Sequence, residues 1–145
     1  MLKLTLVMMF GLSACHSAMM NDEEAMRGYL EDTRRETTHH LTAVRTVTTM
    51  PGMRDEMTRH RDGMGPMMID IDTTMESMGS HCDGAGMDDM RAMHGDLDSE
   101  MLQHAASMDA IDALPAATTE VEHHADAMFV MMDGMGGAMS RMRCR

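Results

Sequence analysis

Four copies of one short pattern, Glu-x-x-x-His-x-x-x-(Met/Val), carry the side chains of this sequence that are best suited to chemistry. Residues four apart lie on one face of an α-helix, so each copy stacks a carboxylate, an imidazole and an apolar side chain. Imidazole nitrogen is a good ligand for copper, zinc and iron, and a carboxylate can ligate too or accept a hydrogen bond from the second ring nitrogen. The pattern predicts a metal site built from eight residues: His40, His60, His104, His124, Glu36, Glu56, Glu100 and Glu120.

Thioether sulfur supplies a second set of candidate ligands, because 25 of the 145 residues are Met. A thioether is a soft ligand suited to Cu(I), and copper is therefore the favoured metal, with zinc or iron as alternatives. Methionine also fills irregular cores as flexible packing, so both interpretations remain open for each residue. The possible soft-metal ligands continue the columns of two copies: Met64, Met67, Met128, Met131, Met135 and Met139.

An internal repeat explains why the pattern occurs four times. Shifting the sequence by 64 residues aligns 22–78 with 86–142 and matches 14 of 57 pairs, where composition alone gives roughly four. Six of these matches are Met with Met. The other eight include every Glu and His of the pattern and also Pro51 with Pro115. The repeat indicates a tandem duplication of a helical hairpin.

The elements that must position these residues are helices. Apolar residues recur at helical spacing and no stretch alternates as a strand does, so we predict helices near 22–49, 52–78, 87–113 and 116–142. Two hairpins that each carry one apolar stripe bury it by packing together. The predicted fold is all-α: an antiparallel up-down four-helix bundle over residues 22–145.

The depth of the histidines in this bundle follows from counting. His40 and His60 lie 11 and nine residues from Pro51, and His104 and His124 have the same offsets from Pro115. At 1.5 Å per residue each lies roughly 15 Å from its turn. All four are therefore expected at one level, with a pair of glutamates one turn to either side.

The first 15 residues have a different character from the rest. Lys3 precedes an apolar run from Leu4 to Leu12, and small residues follow, which is typical of a signal peptide and too short for a membrane span. The tetrapeptide Leu12-Ser13-Ala14-Cys15 resembles the lipobox of bacterial lipoproteins, in which the cysteine is acylated and becomes the mature N-terminus. A plain secretory signal with an ordinary cysteine is the alternative.

The lipobox resemblance implies a cellular location. Residues 1–14 would be removed, 15–21 would form a lipidated tether, and the membrane would be a partner through the anchor on Cys15. His16 rather than Asp follows this cysteine, which favours the outer over the inner membrane. In such an oxidising compartment Cys82 and Cys144, each at the end of a predicted helix, are expected to form a disulfide.

The whole-chain charge restricts the partners. The formal net charge is −12, which disfavours nucleic acid and fits attraction of cations. Architecturally the predicted bundle resembles the ferritin-like dimetal carboxylate proteins, although their signature is Glu-x-x-His on two helices and a lone Glu on two. Here His stands at i+4 on all four helices, which favours a histidine-dominated site over oxygen-activating di-iron chemistry.

The expected function is metal storage, sequestration or transfer outside the cytoplasm, without a catalytic residue. A dimetal oxidase or hydrolase is one alternative, since an open coordination position at a His/Glu centre supports such chemistry. A structural envelope lipoprotein is another, in which buried Glu–His pairs fix the helix register without metal. A haem between opposed histidines is a lesser possibility.

Overall fold

The computed structural model describes the backbone of residues 2–144 and the side chains of residues 21–144. It is all-helical in architecture, with four helices packed together: α1 (Leu2–Val44), α2 (Met50–Gly79), α3 (Ala85–Ala110) and α4 (Leu114–Met139). Cys15, the predicted signal and the tether up to residue 20 lie outside the residues whose side chains are described. Among the residues with described placement, no helical stretch combines the length and apolar character that a membrane span requires.

The two proline-containing turns start α2 and α4. Pro51 and Pro115 occupy the first turn of their helices, where a missing N–H leaves no hydrogen bond unmade. Thr49 caps α2, with its hydroxyl accepting a hydrogen bond from the Gly52 amide at 3.2 Å. The predicted ends of the first, third and fourth helices, at 49, 113 and 142, are too late, because these helices end at Val44, Ala110 and Met139. α1 ends at Val44, where a run rich in β-branched residues (Val44, Thr46, Val47, Thr48, Thr49) disfavours continued helix.

A short strand pair joins the two halves of the chain, which the sequence pattern did not predict. Cys82–Asp83 pairs antiparallel with Arg143–Cys144, and Cys82 stands opposite Cys144 in the register. The two cysteines form a disulfide with an S–S distance of 2.07 Å. Strands of two residues carry no alternating pattern, so only the expected disulfide indicated that these segments meet.

The helices bury two separate apolar clusters. α1 packs most extensively on α2 and α3 on α4, while α1 also packs on α4 and α2 more lightly on α3. The smaller cluster lies towards the proline turns and contains Val44, Met53 and Val121. The larger one fills the other half of the molecule and consists mainly of methionine. On every helix the patterned histidine falls between residues of the two clusters.

Two of the six candidate soft-metal methionines are not fully buried. Met64, Met128, Met135 and Met139 are buried, as expected for inward-facing positions. Met67 and Met131 are only half-buried, and Met132 is buried where Met131 was expected to be. Met131 and Met132 follow Met128 by three and four residues, which are slightly less and slightly more than one helical turn. Both positions therefore lie near the buried face, and packing decides which of the two side chains points inward.

Candidate metal centre

The four patterned histidines form one compact group, called the histidine layer below (His40, His60, His104, His124). Within the first helix pair, α1 and α2, the rings of His40 and His60 stack with centroids 4.0 Å apart. His104 and His124 stack in the same way in the second pair, α3 and α4, at 3.9 Å. Between the pairs, His40 lies edge-on to His104 at 5.9 Å and His60 to His124 at 5.7 Å.

Each ring in the layer has a glutamate partner on the neighbouring helix of its own pair. In the first pair, Nδ1 of His40 lies 2.9 Å from Glu56 Oε1, and Nδ1 of His60 lies 3.0 Å from Glu36 Oε1. The second pair repeats both contacts 64 residues later. Nδ1 of His104 lies 3.4 Å from Glu120 Oε1, and Nδ1 of His124 lies 3.0 Å from Glu100 Oε1. Each carboxylate therefore accepts a hydrogen bond from a histidine of the neighbouring helix, not from the histidine four residues later on its own helix.

These contacts fix the tautomer of each imidazole. An ionised carboxylate only accepts hydrogen bonds, so each Nδ1 must carry the proton and donate it. Desolvation lowers the pKa of His40 and takes the pKa of His60 to about 2 and those of His104 and His124 to about 3. The rings are therefore neutral at physiological pH, and each Nε2 presents a lone pair.

The four Nε2 atoms are buried and have no hydrogen-bond partner among the described residues. All four residues are at most 1% exposed. A buried acceptor without a partner destabilises a fold by roughly 1–3 kcal/mol, and buried polar side chains in native proteins are nearly always paired. Four such atoms in one layer therefore require an explanation beyond packing.

Arg59 is a member of the site that the sequence pattern did not identify. Its Nε and Nη2 donate to Glu56 at 2.8 and 2.6 Å, and its Nη1 donates to Glu36 at 3.2 Å. Burial opposes ionisation of Glu56, but hydrogen bonds from Arg59 and His40 outweigh it and lower the pKa of this carboxyl. Its place three residues after Glu56 was a signal that could have been used.

Arg59, bonded to both Glu36 and Glu56, is called the arginine clamp below. Among the described residues, the second helix pair has no equivalent of it. The residue 64 positions after Arg59 is His123, which is exposed. Glu120 is 24% exposed in its side chain, against 10% for Glu56, its counterpart in the first pair. The two halves of the site therefore share the same Glu–His contacts but differ in what covers the glutamates.

The ring orientations limit how an ion could be held. No three His, Cys, Asp or Glu side chains in the described part of the chain stand together as a ready metal-binding group. In the stacked pairs the ring planes are only 10° and 8° apart, so the Nε2 lone pairs lie in nearly parallel planes. Two such lone pairs do not point to one common ion. The edge-on pairs, with planes 76° and 79° apart, have intersecting planes.

The remaining histidines lie elsewhere. His39 and His123 are exposed, and the repeat has Gln103 and Arg59 at the equivalent positions. His81, in the loop after α2, lies 3.0 Å from the Ser80 hydroxyl and 3.4 Å from Asp22. His94 is buried within the methionine-rich half, at 8% exposure, with Nε2 unpartnered and Nδ1 4.0 Å from Asp98.

Comparisons of the chain with protein-family models, with curated proteins and with solved structures each find no match. The site must therefore be interpreted from its own geometry.

Proposed function

We propose that this protein binds transition-metal ions, copper above all, at the histidine layer. The observation that carries the proposal is the set of four neutral, buried imidazoles whose Nε2 lone pairs have no partner among residues 21–144. A metal ion would satisfy these atoms, and the glutamates that accept from Nδ1 would hold the rings in orientation, as carboxylates do around many metal-bound histidines.

The distances across the layer fit this use. With a metal–nitrogen distance of about 2.0 Å and about 1.1 Å from nitrogen to ring centroid, two imidazoles sharing an ion have centroids roughly 5.1 to 6.2 Å apart, from a tetrahedral angle to a linear one. The edge-on pairs, at 5.9 and 5.7 Å, fall inside this range, whereas the stacked pairs at 4.0 and 3.9 Å do not. We infer one ion for each edge-on pair, His40 with His104 and His60 with His124.

The charge of the site also favours cations. Four carboxylates surround the neutral layer, and in the described part of the chain Arg59 is the one arginine in contact with them, through Glu36 and Glu56. The formal charge of these four glutamates and Arg59 is −3 before any ion binds. Low-dielectric surroundings strengthen the attraction between this charge and a bound cation.

Copper is favoured over zinc and iron by the surroundings of the layer. Met64 and Met128 are fully buried and stand four residues after His60 and His124 on their helices. Imidazole suits copper, zinc and iron alike, but thioether sulfur selects Cu(I). The methionine-rich cluster beyond these two residues would offer further soft ligands or only pack the core.

The wider arrangement that we propose is an antiparallel bundle of two duplicated hairpins. Two observations support it: Glu–His contacts that recur at a shift of 64 residues, and pairing of residues 36 with 60 and 40 with 56, which requires α1 and α2 to run in opposite directions there. A lipid anchor on Cys15 would place this bundle in the bacterial envelope, with the outer membrane favoured. Storage, sequestration or transfer of metal is the role that we infer.

An enzymatic role has less support. Grooves on the two helix pairs reach Glu36 and Glu100, but neither groove is lined by a ring of the histidine layer. A substrate would need a path to an open coordination position, as metal-ion catalysis requires. A purely structural network would explain the Glu–His bonds but would leave the four lone pairs unmatched.

The test is a Cu(I) titration of the full chain against a competing chelator, with paired substitutions. The wild type is expected to bind two equivalents tightly. The edge-on double variant His60→Phe/His124→Phe should keep one, whereas the stacked double variant His40→Phe/His60→Phe, which takes one ligand from each pair, should keep none. If the wild type takes up no copper, zinc or iron, the proposal is wrong. If both double variants lose equal amounts, the pair assignment is wrong.

A further inference from the structure

The two helix pairs carry equivalent surface grooves with different charge. The first groove is lined by Asp32, Arg35, Glu36, His39, Arg59 and Met67. Adding 64 to each number gives six residues that line the second groove. The grooves therefore lie at the same place over the two halves of the histidine layer, and each reaches a glutamate that accepts a hydrogen bond from a ring of that layer.

Both cations of the first groove are missing from the second. Arg59 is replaced by His123, which carries no permanent charge, and Arg35, which pairs with Asp32, is replaced by Ser99. The second groove is lined by three acids, Asp96, Glu100 and Asp126. Its formal charge is −3, whereas the two acids and two arginines of the first groove sum to zero.

The carboxylates beneath the grooves differ in how firmly they are held. In the first pair a guanidinium joins Glu36 to Glu56 by hydrogen bonds of 2.6 to 3.2 Å. In the second pair no arginine contact to Glu100 or Glu120 is found among the described residues, and the His104–Glu120 contact is the longest of the four, at 3.4 Å. Glu100 lines the second groove and accepts a hydrogen bond from the His124 ring, so it links the groove to the histidine layer.

We propose that metal ions reach the histidine layer through the second groove, and that Arg59 keeps the first groove closed. This inference rests on the proposed metal-binding function and specifies the side of uptake. The negative groove attracts a cation to Glu100, and this carboxylate, free of an arginine clamp, turns aside to admit it. In the first groove the same movement would break charge-assisted hydrogen bonds of Arg59 and bring a cation against a fixed positive charge.

The experiment measures the rate at which the full chain takes up Cu(I) from solution under anaerobic conditions. The His123→Arg variant rebuilds the clamp in the second pair and is expected to slow uptake about ten-fold or more, with unchanged stoichiometry. The Arg59→His variant opens the first groove and should raise the rate by at most about two-fold, because a second route then exists but Arg35 leaves it less negative than the second groove. The matched control is His39→Arg, which adds a positive charge to the groove that is already closed and should change the rate less than two-fold.

The outcomes separate this inference from the proposed function. If the wild type binds copper but His123→Arg loads as fast as the wild type, the route is wrong and the site stands. If His39→Arg slows uptake as much as His123→Arg, general charge rather than the groove governs the rate, and the inference is again wrong. If the wild type binds no metal at equilibrium, both fail together. Far-ultraviolet circular dichroism and final stoichiometry check that each variant is folded and competent.

Discussion

At the scale of single residues, the site is defined by which nitrogen of each histidine is satisfied. The Glu at i−4 on the same helix was the obvious partner in the sequence, but each ring instead donates to a glutamate on the neighbouring helix. The four Nε2 atoms are thereby left buried and without a hydrogen-bond partner in the part of the chain that the structure describes. A salt-bridge network alone does not account for these unpaired atoms, because it uses only Nδ1 of each ring and leaves the second nitrogen without a role.

Arg59 offers a residue-scale prediction about stability. Replacing it with Met removes its hydrogen bonds to Glu36 and Glu56, whose side chains are 13% and 10% exposed, and leaves two carboxylates close together without a cation. We expect the free energy of unfolding of the metal-free protein to fall by about 1–3 kcal/mol, as measured by urea denaturation.

The matched control for this prediction is His123→Met, at the equivalent position of the second repeat. His123 is exposed and should change stability by less than about 0.5 kcal/mol. Equal losses in the two variants would mean that Arg59 does not act as a clamp.

At the scale of elements, the sequence predicted the helices and the common level of the four histidines, because proline positions and a 64-residue repeat determine both. It did not predict the strand pair near Cys82 and Cys144, which is too short to show a pattern. The choice between Met131 and Met132 was also beyond it, since both lie near the apolar stripe and tertiary packing selects one. Arg59 was missed because an arginine on a helix is ordinarily a solvated residue.

Helix packing near the disulfide yields the element-scale prediction. A Cβ on Gly86 would lie 2.6 Å from the Ala138 carbonyl oxygen and 2.6 Å from the Met142 amide nitrogen, which are backbone atoms and cannot move aside easily. Gly86→Ala should therefore separate α3 from the end of α4 and lower the free energy of unfolding by about 1–3 kcal/mol.

Gly95→Ala is the matched control on the same helix. A Cβ there meets nothing within 4 Å, so the better helix propensity of alanine should raise stability by about 0.5–1 kcal/mol. Thermal and urea denaturation of both variants measure the difference. A stabilising Gly86→Ala would show that α3 and α4 do not approach as closely as the structure has them.

At the scale of the whole molecule, the buried neutral histidines couple folding to pH. Their pKa values lie at about 2 to 3 in the fold for His60, His104 and His124, against 6.5 ordinarily. Above pH 6.5 these rings are neutral in both states and do not alter stability. Between pH 6.5 and 3 only the unfolded chain binds the protons, so stability falls as pH falls.

The expected size of this effect is large enough to measure. Each such ring lowers the free energy of unfolding of the metal-free protein by up to about 1.4 kcal/mol per pH unit below 6.5. Urea denaturation at pH 7.5, 6 and 5 should show a steepening loss, and the His60→Phe variant should show a shallower one. Equal stability at pH 7.5 and 5 would contradict the burial of four neutral imidazoles.

The central claim, that the histidine layer holds metal through imidazole nitrogen, is tested most directly by X-ray absorption at the copper edge of the Cu(I)-loaded full chain. We expect a first shell dominated by nitrogen at about 2.0 Å, with the outer-shell scattering typical of imidazole rings, and its loss in the His60→Phe/His104→Phe variant. A first shell dominated by sulfur at about 2.3 Å and unchanged in that variant would contradict the claim, because the methionine-rich cluster would then be the copper site.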